Sequence, residues 1–157
     1  MNKTNVMRLL DSAKISYHTA SYEYSEDDLS GVHAAEQISE ICPEQCFKTL
    51  VARGEKQGIL VFCVPVADEL DLKRAASAAG DKKVELIAVR ELQGITGYIR
   101  GGCSPVGMKK KFPVYLDSSA KNYDLIGVSA GTRGLQIILS PLDLADYTGA
   151  KFCTLKR

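Results

Sequence analysis

Two apolar, β-prone runs set almost back to back constrain this chain more than any other feature of its sequence. Cys46–Arg53 and Gly58–Pro65 are separated only by the turn Gly54-Glu55-Lys56-Gln57-Gly58. A connection that short joins antiparallel strands, because a parallel crossover needs a dozen residues or more. The chain therefore carries a sheet with a hairpin at its heart. One residue breaks the apolar run: Lys48, in Phe47-Lys48-Thr49-Leu50-Val51. A lysine in a strand ordinarily faces solvent. The apolar setting of this one predicts instead an ammonium turned into a pocket floor.

Around that hairpin, periodicity and capping residues place the other elements. Thr4 is positioned to cap a helix carrying Val6, Leu9, Leu10 and Ala13 on one face. Ile15–Tyr24 alternates as a strand and runs into the acidic loop Ser25–Asp28. His33–Glu40 reads as a short helix stopped by Pro43. A helix capped by Asp71 runs to Ala79 and ends at Gly80; Val84–Leu86 is a strand and Val89–Gln93 a short helix. Beyond residue 111, Val114–Leu116 is a strand, and Leu125–Ser129 pairs with Leu135–Leu139 as a second hairpin. Pro141 opens a helix that Gly149 ends, and Lys151–Leu155 is a last strand. Strands outnumber helices and sit as adjacent hairpins. The expected fold is α+β: one domain over residues 1–157, with a curled, largely antiparallel mixed sheet or partly open barrel and helices outside.

Composition removes several function classes. The net charge of +1 over 157 residues is not that of a dedicated nucleic-acid binder, so DNA is not an expected partner and any nucleic-acid contact must come from local patches. No apolar run approaches the roughly 20 residues of a membrane span, and Met1–Arg8 lacks the apolar core of a signal peptide. A cytoplasmic location is expected. The five cysteines include Cys42 and Cys46, four apart with no answering pair, and there are two histidines. No metal site and no cofactor are expected.

The densest cluster of unusual residues is Gly97-Tyr98-Ile99-Arg100-Gly101-Gly102-Cys103-Ser104-Pro105-Val106-Gly107, followed by Met108 and Lys109-Lys110-Lys111. Glycines here can turn successive amides into one pocket, and Ser104-Pro105 stiffens the exit. Exposed amides followed by cations suit a phosphate or a developing oxyanion. A tight turn followed by a solvated lysine run is the competing reading. Cys103 lies within the loop, yet no histidine stands in a motif with it.

Taken together, Phe47-Lys48-Thr49-Leu50-Val51 and Gly101-Gly102-Cys103-Ser104-Pro105-Val106-Gly107 resemble the signature pair of the YbaK/EbsC family. That family comprises free-standing deacylases of mischarged tRNA(Pro), related to the editing domain of some prolyl-tRNA synthetases. Leu70-Asp71-Leu72-Lys73, Lys82-Lys83-Val84-Glu85, Thr96-Gly97-Tyr98, Val128-Ser129-Ala130-Gly131 and Arg133-Gly134-Leu135 fit the same family in order, from about Asn5 to Phe152. The resemblance implies Lys48 as the essential lysine, Gly101 and Gly102 as backbone facing the ester carbonyl, and Tyr22 as a pocket tyrosine. Ser30, Thr49, Cys103, Ser104, Pro105 and Gln136 join them as expected substrate contacts. Three departures bear on the aminoacyl group. Ser30-Gly31-Val32-His33 stands where cysteine-specific members have Phe-Gly-Asp-Glu, Cys103 replaces isoleucine in Gly-Ile-Ser-Pro, and Gln136 stands where an acid is common.

The chemistry implied is hydrolysis of an aminoacyl ester, with Cys-tRNA(Pro) as substrate and the substrate's own thiol attacking its carbonyl. Lys109, Lys110, Lys111, Lys73 and Arg133 are the expected contacts to tRNA phosphates, against a solvated-face alternative. A transient complex with prolyl-tRNA synthetase is the other expected partnership. The competing functions are an Ala-tRNA(Pro) deacylase of the same fold and a non-catalytic module that binds aminoacyl-tRNA or a synthetase.

Overall fold

The computed structural model describes residues 2–157 and resolves the chain into five α-helices and eight strands. In order these are α1 (Asn5–Ser12), β1 (His18–Ser21), α2 (Gly31–Glu36), β2 (Phe47–Gly54), β3 (Gly58–Pro65), α3 (Leu72–Ala79) and β4 (Val84–Leu86). There follow α4 (Val89–Thr96), β5 (Val114–Asp117), β6 (Ile126–Ser129), β7 (Leu135–Leu139), α5 (Pro141–Thr148) and β8 (Lys151–Cys153). Capping chemistry sets most helix ends. Thr4 Oγ1 accepts from the Met7 amide, Asp71 from those of Lys73 and Arg74, and left-handed Gly80 and Gly149 close α3 and α5.

The strands form two sheets. The larger runs β4-β2-β3-β5-β8 and the smaller β1-β7-β6. Hairpin β2–β3 is in register from Phe47↔Pro65 to Gly54↔Gly58. Pairing is parallel only at β3–β5 and β5–β8; the other four ladders are antiparallel. A parallel bridge between Cys46 and Gly127 joins the sheets at one corner. The result is a curled mixed arrangement, and it does not close into a barrel.

Strand β3 explains why its sequence is apolar without alternation. Val61 and Cys63 pack into the core between the sheets, with Val6, Met7 and Leu10 of α1, Phe47, Leu116, Val128 and Ile137. Leu60, Phe62 and Val64 pack on the opposite face, under Ala75 and Ala76 of α3. A strand covered on both faces reads as one continuous apolar run. The smaller sheet has its own outer cover, where Ala35 and Ile38 meet Ile138.

At the far edge Asp117, only 1% exposed, accepts hydrogen bonds from the amides of Ser119 (3.1 Å), Leu155 (2.9 Å) and Lys156 (3.1 Å) and from the Ser119 hydroxyl. The Asp71 amide donates to Leu155 O at 2.8 Å, and Leu70 bridges to Lys156. One buried carboxylate thus pins residues 155–156 beside β5. Burial pushes its pKa up, but the bonds from Ser119, Leu155 and Lys156 together outweigh burial and leave it below the ordinary carboxylate value.

Several element boundaries differ from the sequence expectation. The first strand spans His18–Ser21 rather than Ile15–Tyr24, because its one partner, β7, ends opposite Ser21 at Leu135. Helix α2 starts two residues before His33, since Ser30 Oγ caps it through the His33 amide, and it ends at Glu36. Helix α4 runs on to Thr96, where left-handed Gly97 stops it. The last strand stops at Cys153, because Leu155 and Lys156 turn their amides to Asp117. Among the described residues no helix is long and apolar enough to cross a membrane.

Candidate functional site

A cavity of about 440 Å³ opens between α2, the first half of β2, the β4–α4 connection and the loop after α4. That volume lies within the range of small-ligand sites. Of the residues expected from sequence, Tyr22, Ser30, Lys48, Thr49, Gly101, Cys103 and Gln136 line it. They come from four separate parts of the chain. Ser129 and Arg100 also line it, as do Val32, Leu86 and Val89, three apolar residues left exposed. No sequence signal marked that mouth, since exposed apolar residues read like any other apolar position.

Lys48 is half-buried at the start of β2, opposite Val64. Among the described residues it takes part in none of the ion pairs. A cation lining a cavity without a carboxylate beside it is available to an anionic or electron-rich ligand. Gln136, on β7, is 5% exposed. Its Oε1 is enclosed without a hydrogen-bond partner, lying where a Cβ on Gly127 would meet it at 2.8 Å. Glycine at position 127 makes the room for that side chain.

The glycine-rich segment is a closed loop. Thr96 O accepts from the Lys109 amide at 3.1 Å, and Tyr98 OH donates to Val106 O. Within it, the Gly102 amide donates to Ile99 O at 3.0 Å, making Ile99–Gly102 a β-turn with Gly101 at φ 87°. This corrects the expectation that Gly101 and Gly102 both offer amides to a ligand. Gly102 is spent on the turn, and Gly101 keeps its amide free of protein acceptors among the described residues. Gly102 serves close packing instead, since a Cβ there would lie 3.2 Å from the backbone of Thr132 and Arg133.

Other expected contacts are also placed elsewhere. Ser104 is buried and its Oγ accepts from the Val106 amide at 3.2 Å; neither it nor buried Pro105 lines the cavity. Lys109 lays its chain over Gly97 and donates from Nζ to Gly94 O at 3.3 Å, so its ammonium caps α4. Lys110, Lys111 and Lys73 are exposed and outside the cavity. Arg133 lines a smaller groove that shares Tyr22, Leu29, Ser30, Ala34 and Gly101 with the cavity.

Protein nucleophiles are poorly provided. Burial pushes the Cys103 thiol up to about 12, and the neighbouring Cys63 adds to this. Burial likewise takes Cys63 to about 12 and Cys46 to about 11. At neutral pH these sulfurs stay protonated and unreactive. His18 and His33 are exposed, facing Glu40 at 3.1 Å and Asp28 at 3.9 Å. Among the described residues no three metal-ligating side chains cluster.

Comparison with known proteins follows the same lines. The profile of the aminoacyl-tRNA editing domain matches residues 26–147. The chain is 46% identical to EbsC of Enterococcus faecalis over 153 residues, covering 98% of this chain and 93% of that protein, which is provisionally named a Cys-tRNA(Pro)/Cys-tRNA(Cys) deacylase. It is 23% identical over 112 residues to a proline–tRNA ligase of Brachyspira hyodysenteriae, covering 71% of this chain and 19% of the ligase. A crystal structure provisionally described as a trans-editing enzyme for prolyl-tRNA synthetase superposes with a TM-score of 0.80. It is 25% identical and covers 100% of this chain and 99% of that one.

Proposed function

The chain belongs to the aminoacyl-tRNA editing domain family, and from that premise we propose that it is a free-standing deacylase that removes cysteine from mischarged tRNA(Pro). The observation that carries this is the 46% identity to EbsC over nearly the whole chain. The cavity supplies chemistry of the right kind.

Cleaving an aminoacyl ester concentrates negative charge on the carbonyl oxygen. Lys48 and the Gly101 amide line one cavity, and together they are the groups suited to that charge. With Cys46, Cys63 and Cys103 held protonated, water or the substrate itself is left to attack, and a cysteinyl substrate carries its own tethered thiol. The cysteinyl sulfur attacks its own carbonyl carbon, a C–S bond forms, and the C–O bond to the ribose breaks. The thiol proton ends on the released ribose hydroxyl, and water later opens the thiolactone. The tether replaces an enzyme nucleophile by holding the reacting atoms together. Gln136 and Thr49 border the space for the aminoacyl group, and the apolar mouth at Val32, Leu86 and Val89 receives the terminal nucleoside. Residues 1–157 act as one editing unit in the cytoplasm, where tRNA is charged, with prolyl-tRNA synthetase as a transient partner.

The test is deacylation of Cys-, Ser- and Ala-charged tRNA(Pro). Fast loss of cysteine, with slow loss of serine and alanine, is expected. Equal turnover of Ala-tRNA(Pro), which has no thiol, would overturn substrate-assisted attack. Cys103→Ser is expected to stay active, and an acyl-enzyme trapped at Cys103 would move the nucleophile onto the protein.

A further inference from the structure

The β-turn Ile99–Gly102 has a central peptide made of the Arg100 carbonyl and the Gly101 amide. With Gly101 at φ 87° in the third position it is a type II turn. Types I and II differ by a half-rotation of that central peptide, and the Gly102-to-Ile99 hydrogen bond survives either way. Glycine at the third position accepts both. The orientation of the Gly101 N–H therefore needs an outside constraint.

Arg133 supplies one. Its Nε donates to Arg100 O at 2.7 Å. The guanidinium stem lies flat along the glycine, where a Cβ on Gly101 would be 3.5 Å from both Cγ and Nε. The Arg133 side chain is 20% exposed, and among the described residues its one ion pair runs from NH1 to Glu26, at 3.8 Å. In a planar trans peptide, C=O and N–H point in opposite directions. Drawing the carbonyl towards Arg133, which lines the smaller groove, turns the Gly101 amide the other way, and Gly101 lines the cavity as well. Flipping the peptide would aim an N–H at a cation and orphan a charge-assisted hydrogen bond.

We propose that Arg133 is a positioning residue that locks the 99–102 turn in its type II form and so aims the Gly101 amide at the developing oxyanion. This rests on the deacylase reading and gives Arg133 a task other than holding tRNA phosphate. A cation on the carbonyl also polarises the peptide, making its N–H a stronger donor.

Two measurements test it on the full chain. The first is kinetics of Arg133→Met and Arg133→Lys with Cys-tRNA(Pro) and with cysteinyl adenosine ester, which has no phosphate. Arg133→Met is expected to lower kcat about tenfold to a hundredfold on both substrates, with KM within twofold. Arg133→Lys, which keeps a cationic donor, recovers part of the loss, and Glu26→Gln behaves as wild type. A defect confined to KM on tRNA and absent on the adenosine ester would make Arg133 a phosphate contact and overturn the proposal, as would full kcat in Arg133→Met. The second is the ¹H–¹⁵N resonance of Gly101 in the free protein, expected to shift or broaden in both variants. An unmoved resonance would also overturn the lock. Wild-type protein inactive on every charged tRNA would sink the deacylase reading, while the Gly101 resonance would still decide the turn.

Discussion

Asp117 and Gln136 are both buried polar side chains on strands, and they are treated in opposite ways. Asp117 receives four hydrogen bonds, three from backbone amides of segments it ties together. Gln136 is walled in beside the cavity with its carbonyl oxygen unpartnered. An unmet buried polar group costs about 1–3 kcal/mol, so a protein keeps one where something else gains. The far edge of the larger sheet is built for stability. The cavity gathers groups the protein leaves unpartnered: a lysine outside every ion pair among the described residues, an uncommitted glycine amide and a glutamine whose carbonyl oxygen has no partner border one space.

The sharpest test of that contrast is Lys48→Ala. Deacylation is expected to fall 10²-fold or more, with the melting temperature unchanged, since no ion pair is broken; near-full activity would put the chemistry elsewhere. Asp117→Ala should do the reverse. Stranding the Leu155, Lys156 and Ser119 amides is expected to cost about 3 kcal/mol by denaturant unfolding, while kcat in the folded fraction holds. The same residue gives a pH signature. Its folded pKa lies below the unfolded one, so its contribution is complete above about pH 4 and is lost as pH falls through the folded value. Stabilities of wild type and Asp117→Asn should therefore converge in acid.

Gln136→Leu comes next in size. Removing the orphan carbonyl should leave stability equal or higher, while KM for the cysteinyl substrate rises about tenfold; a clear loss of stability would show that Gln136 is structural after all. The smallest effect is expected at the exposed cations. Neutralising Lys110 and Lys111 should lower the salt dependence of tRNA binding, with the slope falling by about 0.7–0.9 for each phosphate left unneutralised. An unchanged slope would return both to the solvated face.

What could be read in the sequence was what local chemistry decides. The β2–β3 hairpin followed from its glycine turn, and α3 from Asp71 and Gly80, because those signals act within a few residues. The resemblance brought Lys48, Thr49, Gly101 and Gln136 forward, and they do border one cavity. The uses of Gly102, Ser104, Lys109 and Arg133 were hidden for a common reason. Each polar group there had several partners within reach, and the choice was made by backbone from elsewhere or by a turn whose form the sequence permits twice. Strand β1 was overextended because its end is set by β7, more than a hundred residues away.

That distant pairing has a consequence in time. Hairpin β2–β3 closes over a short loop, whereas β1 must find β7, bringing His18 beside Ile138. Closing so long a loop is slow and comes after local structure has formed. Tyr22 and α2 follow β1 directly, and Gln136 sits on the partner strand, so one side of the cavity depends on that long-range pairing. Without the β1–β7 pairing, Lys48 would keep its place in the β2–β3 hairpin while the opposite wall of the cavity was missing.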